Sequence, residues 1–123
     1  MFRFEKLTVW QRAVEFADTV YQLTRGFPDN ERFGLTSQMR RAAVSISSNI
    51  AEGAGRASDK EFARFVEISY GSLMEVLSQS HVAFRQHFFD ETAHRALFAR
   101  AEELARMLSG LRASLRSPKN PPP

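Results

Sequence analysis

Glu91 and His94 stand at the E-x-x-H spacing, which puts a carboxylate and an imidazole on one helix face as di-iron bundles require. Such a centre needs two of these pairs plus carboxylates from other helices, and the chain has one pair, in the first turn of its helix. No metal and no cofactor is expected. His81 and His87 have no matching ligand spacing. The serines of "AVSISSNIAEGAGR" lack an identifiable His and acid partnership for nucleophilic catalysis. Gly53 and Gly55 loosely resemble a phosphate loop, yet they follow a helix rather than a strand and lack the Walker lysine, so helix termination accounts for them better. The absence of cysteine removes disulfides, thiolate zinc sites and Cys nucleophiles together. The chain is therefore expected not to be an enzyme.

Binding chemistry has more support. The net charge is +3, and most of the seventeen basic residues are Arg, whose planar fork suits carboxylate or phosphate. Arg40, Arg41, Arg56 and Arg64 flank the second and third helices and are the candidate nucleic-acid contacts. A symmetric oligomer would repeat such a patch and multiply a modest charge. Beyond Glu103 the chain carries Arg106, Arg112, Arg116 and Lys119 without an acid, as suits the negative end of a helix dipole. No helix-turn-helix or other docking motif is readable.

The elements that position these residues are helical. Trp10, Ala13, Ala17, Val20 and Thr24 alternate spacings of 3 and 4 before Gly26 and Pro28, which predicts a helix over 8–25. Leu35, Met39, Ala42, Ile46 and Asn49 continue the rule in a second helix over 31–53. "SDKE" from Ser58 has the capping-box form and opens a third helix reaching about Phe88. Asp90 caps a fourth, in which Leu97, Ala101, Leu104, Leu108, Leu111 and Leu115 hold a strict stripe. No stretch alternates with period two. The fold class is all-α, an antiparallel up-down-up-down four-helix bundle over 1–116, followed by a Pro-rich mobile tail at 117–123.

Within that frame Asn49 is the oddity, a polar residue in step with apolar ones. A buried Asn can fix register or oligomeric state when it finds a partner. A hairpin would bring Asn49 and Glu52 near the donors Trp10 and Arg12 at the start of the first helix. The same geometry turns Arg40 or Arg41 toward Glu75, while Gly71 and Ser72 would let two backbones approach. The third helix is apolar around much of its circumference, from Phe62 and Phe65 through Ile68 to Phe84, and a homo-oligomer would bury what one bundle cannot. A chain of 123 residues suits one domain. No apolar run approaches the ~18–20 residues of a membrane span, and the start lacks a signal-peptide h-region, so a cytoplasmic location is expected.

"LTVWQRAVEF", "FPDNERFGLTSQMRRAAVSISSNIAEGAGR" and "EFARFVEISYGSLMEV" closely resemble the small bacterial four-helix proteins named after open reading frames within 23S rRNA intervening sequences. The resemblance covers about residues 5–85. The diversity-generating retroelement accessory protein looks like a relative, similar in being a basic pentameric ring that binds a reverse transcriptase and nucleic acid. The resemblance implies a four-helix bundle, a homopentamer and no established enzymatic activity. Its pattern maps onto Gln38, Arg41, Ser45, Asn49, Ile50, Ala51, Glu52, Gly53, Gly71, Ser72 and Glu75, of which Gln38, Ser45, Asn49, Glu52, Gly53, Gly71, Ser72 and Glu75 are expected as structural or interface residues. The function expected is an accessory or scaffold that binds RNA or DNA, with a protein partner such as a reverse transcriptase; the alternative is a protein-interaction scaffold without nucleic-acid binding.

Overall fold

Four α-helices form where the apolar spacing places them: α1 Thr8–Thr24, α2 Leu35–Ala54, α3 Asp59–Arg85 and α4 Glu91–Arg116. The computed structural model describes residues 1–118, and no strand occurs among them. The tail expected at 117–123 lies, from residue 119 onward, outside the described residues. Each helix packs on its chain neighbour, and α1 closes the ring against α4, leaving α1 and α3 on a diagonal. Short connections between sequential neighbours make this the up-down bundle the pattern called for.

The core is one cluster. Phe16 and Val20 of α1, Met39, Ile46 and Ile50 of α2, Phe62, Val66, Leu73 and Val76 of α3, and Leu97, Leu104 and Leu108 of α4 are all essentially inaccessible to water. The leucine stripe of α4 is buried from Leu97 to Leu108 and opens to half-burial at Leu111 and Leu115. Phe65, Leu77 and Phe84 of α3 are half-buried, whereas Ile68 remains 45% exposed.

Two helix starts follow their caps: Ser58 Oγ accepts from Glu61 N at 3.1 Å, and Asp90 Oδ1 accepts from Ala93 N at 2.8 Å. The second helix starts later than the periodicity suggested. Asp29–Glu31 is a separate 3-10 turn, and the chain bends at Phe33 and Gly34 before α2 begins at Leu35. Glu31 Oε1 then reaches forward to accept from Leu35 N at 3.2 Å. The third helix ends at Arg85 rather than near Phe88. His87 takes φ 64°, and Phe88 N donates to Ala83 O at 3.1 Å while His87 N donates to Phe84 O at 2.9 Å. That is a Schellman ending with His87 in the left-handed position where glycine is usual.

Periodicity did not disclose the first element, a 3-10 turn at Arg3–Lys6. Phe4 packs edge-on against Trp10 with ring centroids 5.0 Å apart, and Arg3 Nη1 donates to Ala54 O at 3.3 Å. The N-terminal segment thus clasps the end of α2.

Candidate functional site

The seam between α2 and α3 gathers most of the residues singled out in the sequence. At its lower end, a Cβ on Gly53 would stand 2.7 Å from Phe65 Cβ and 2.9 Å from Phe62 Cδ1, so only glycine lets the helices meet there. Further along, Ser69 Oγ donates to Ile46 O at 2.9 Å, and the Ser45 and Ser72 hydroxyls lie 3.0 Å apart. Asn49 Nδ2 donates to Ser45 O at 2.8 Å and to Ser45 Oγ at 3.0 Å. Asn49, Ser45 and Ser72 therefore form one polar chain from α2 to α3. Beside it, Gln38, Arg41, Ser45, Ser72 and Glu75 line an open cavity of about 330 Å³.

Several expectations need correction. Asn49 does not reach the first helix, because back-bonding to the turn beneath it satisfies its donor. Glu52 points to solvent and pairs with Arg56 at 3.4 Å, while Arg12 pairs with Glu15 at 3.1 Å and Glu103 at 3.4 Å. Arg40 turns away from Glu75. Its Nε donates to Thr24 Oγ1 at 2.8 Å, and its guanidinium lies 4.6 Å from the Tyr21 ring centroid, which fixes it against α1. Arg41 does share a cavity with Glu75, whose carboxylate accepts from Gln79. Gly71 serves no close approach inside this chain, since a Cβ there would meet nothing within 4 Å.

Cations collect at the end of the bundle where α2 hands over to α3 and α4 finishes. Lys60, Arg64, Glu67 and Arg116, with Ala63 and Leu115, line an open cavity of about 550 Å³. Arg116 is paired with Glu67, whereas Lys60 and Arg64 make no ion pair among the described residues. Arg56 lies 4.8 Å from the centroid of Phe65, and Arg3 lies 5.3 Å from that of Phe62. Of the four arginines proposed from sequence, Arg56 and Arg64 thus share one end of the molecule; Arg41 lies in the α2–α3 groove and Arg40 on the opposite end. Sequence reading missed Lys60 and held Arg116 only within the acid-free run after Glu103. The i, i+4 spacing of Lys60 and Arg64, with the acid-free run after Glu103, was the available signal. Chemically the arrangement can hold phosphate oxygens; it presents no nucleophile beside a base.

At the far end His94 lies between Phe84 and Phe98, with centroids 4.3 and 4.5 Å away, and meets His81 edge-on at 5.2 Å. Its Nδ1 is buried without a hydrogen-bond partner among the described residues. Burial holds the imidazole below its ordinary pKa, the neighbouring His81 lowers it further, and Glu91 opposes both. No group of three or more His, Cys, Asp or Glu that could hold a metal occurs among the described residues. Nor is any helix there long and apolar enough to cross a membrane.

The comparisons agree with the bundle. A crystal structure of a protein with unknown function from the S23 ribosomal protein family of Bacteroides thetaiotaomicron superposes with a TM-score of 0.79 at 18% identity, covering 89% of this chain and 100% of that one. At that identity the likeness speaks for the fold alone. No curated protein matches the chain. The family model described as 23S rRNA-intervening sequence protein matches residues 5–110, a span that holds all four helical cores, the Asn49–Ser45–Ser72 chain and the Gly53 contact. The chain belongs to the 23S rRNA-intervening sequence protein family.

Proposed function

We propose that this chain is a non-enzymatic, cytoplasmic accessory or scaffold protein that assembles as a homo-oligomer, a pentamer, and binds RNA or DNA through phosphate contacts. The observation that carries the reading is the cationic end, where Lys60, Arg64 and Arg116 surround one open cavity and Arg56 stands on the same helical hairpin. Phosphate neutralisation by such residues is sequence-independent and salt-sensitive. Assembly would set several copies of that end side by side and raise the local potential. Anisotropy of labelled duplex and single-stranded oligonucleotides across a salt series tests it. Affinity should fall steeply with salt and weaken when Lys60, Arg64 and Arg116 are changed together to Ala. No binding at low salt would sink the reading.

A second reading, a scaffold for protein partners alone, a reverse transcriptase among the candidates, is favoured by one specific feature. Ile68, Gly71, Glu75, Ser78 and Val82 repeat at 3 and 4 along the outer face of α3, with Ile68 45% and Val82 51% exposed. That stripe has the spacing of a helix-packing seam, and its apolar members Ile68 and Val82 belong to no packed cluster among the described residues. Native mass measurements on Ile68→Asp and Val82→Asp separate the roles of this face: a drop in mass assigns it to self-assembly, and unchanged mass leaves it free for another protein.

A further inference from the structure

The connection between α1 and α2 lies at the end opposite the cationic one and carries a different composition. Arg25, Arg32 and Arg40 line one cavity of about 360 Å³ with Phe27, Pro28 and Asp29. None of the three arginines makes an ion pair among the described residues, although Asp29 shares their cavity. Arg40 is fixed in place, by Thr24 Oγ1 on one side and the Tyr21 ring on the other. Arg32 lies 5.3 Å from the centroid of Phe33. The ring of Phe33 is itself 89% exposed, and Tyr21 is 37% exposed.

An aromatic ring left in water with the Arg32 guanidinium over it, where Arg32 also lines a cavity with Arg25 and Arg40, is poorly explained by folding. Burying Phe33 would stabilise the chain, and its position just before α2 is not fixed by any contact with the core cluster. The combination matches what an unpaired nucleotide needs. Each base offers a π-face to an aromatic ring, and each flanking phosphate takes one or two N–H donors from an arginine. A duplex hides its base faces by stacking and cannot use Phe33. A single strand can.

We infer that this end is a second nucleic-acid site, selective for single-stranded RNA or DNA, in which an unstacked base lies on Phe33 and the neighbouring phosphates are held by Arg25, Arg32 and Arg40. It rests on the nucleic-acid reading above and divides the labour between the two ends. The cationic end contacts phosphate regardless of strandedness, and the α1–α2 end adds a preference for exposed bases.

The test uses the full chain with labelled oligouridine, oligothymidine of equal length and a blunt duplex at low salt, with oligomeric mass measured for every variant. Phe33→Ala should weaken single-strand binding roughly 5- to 150-fold, the range for losing one stacked base, and leave duplex affinity unchanged. Phe33→Trp should restore the single-strand affinity, and Phe33→Leu should not. Arg32→Ala should lower the salt slope for the single strand by about one phosphate. Because Phe33 is exposed, none of these changes touches the core. If the wild type binds nucleic acid and Phe33→Ala affects single strand and duplex alike, or neither, the inference is overturned and the proposed function stands. A change in oligomeric mass on Phe33→Ala would also overturn it, by placing the ring in a subunit interface. If the wild type binds neither form, the proposed function fails and the inference fails with it.

Discussion

The seam between α2 and α3 and the seam between α1 and α4 solve one packing problem with different chemistry. The first is closed by small residues and internally satisfied hydroxyls: Gly53 against Phe62 and Phe65, Ser69 on the Ile46 carbonyl, Ser45 on Ser72. The second sets Phe16 against Leu104 under a surface cavity of about 440 Å³, with Arg12 and Glu103 paired at 3.4 Å over it. A seam of small residues fixes register by steric exclusion, and a seam of large ones fixes it by the volume they fill. They should therefore fail in opposite ways.

The largest effect belongs to truncation on the α1–α4 side. Leu104 is fully buried, and Leu104→Ala is expected to cost about 2–5 kcal/mol in urea denaturation through lost burial and the cavity left behind. A cost below about 1 kcal/mol would show that α1 and α4 collapse to fill the gap. Enlargement should do the damage on the α2–α3 side. Gly53→Ala is expected to cost about 1–3 kcal/mol despite its better helix propensity, because the added methyl meets a Cβ rather than a flexible chain end. Gly71→Ala provides the control within the same pair of helices. Facing open space, it should stabilise the single chain by up to about 1 kcal/mol, and destabilisation accompanied by a fall in oligomeric mass would place Gly71 in a contact between copies.

Protonation loads a third seam, between α3 and α4, and spares both of these. His94 joins α4 to α3, and its folded-state pKa lies below its ordinary value of 6.5, chiefly through burial and then through His81. The unfolded chain takes up the proton first, so stability should fall as pH drops below about 6.5. His94→Phe should flatten that slope in melting curves measured from neutral to mildly acidic pH; an unchanged slope would assign the loss to other groups. The smallest effect is expected at the α1–α4 surface. Arg12 and Glu103 are about half exposed, so Arg12→Ala should cost roughly 0.2–1 kcal/mol, less at high salt. A larger, salt-independent loss would mean that the arginine stem, rather than its charge, covers Phe16.

Most of the fold was legible because it rests on periodicity and caps. Ser58 and Asp90 start their helices as their types demand, and the leucine stripe of α4 is buried in the core from Leu97 to Leu108. What was illegible depends on rotation about single bonds or on backbone turns without a period. Asn49 shares spacing with core residues but bonds the turn below it. Arg40 and Arg41 are adjacent in sequence, yet 100° of helix rotation sends one to α1 and the other to the α2–α3 groove. His87 ends α3 in a conformation that composition would assign to glycine. The candidate site was half legible for the same reason. Arg56 and Arg64 share one end because the short connection that holds Arg56 leads straight into α3, where Lys60 stands one turn before Arg64, while Arg116 joins them only through the antiparallel return of α4.

That short turn has a kinetic meaning. Only residues 55–58 separate α2 from α3, and the bonds across their seam link residues 23 and 27 positions apart, whereas Arg12 and Glu103 must meet from opposite ends of the chain. Closing a short loop costs less entropy, so the α2–α3 hairpin is the expected nucleus of folding. Gly53→Ala should then slow refolding in stopped-flow experiments, and Leu104→Ala should mainly hasten unfolding. The same four residues that set Arg56 beside Arg64 would thus decide the order in which the chain becomes a bundle.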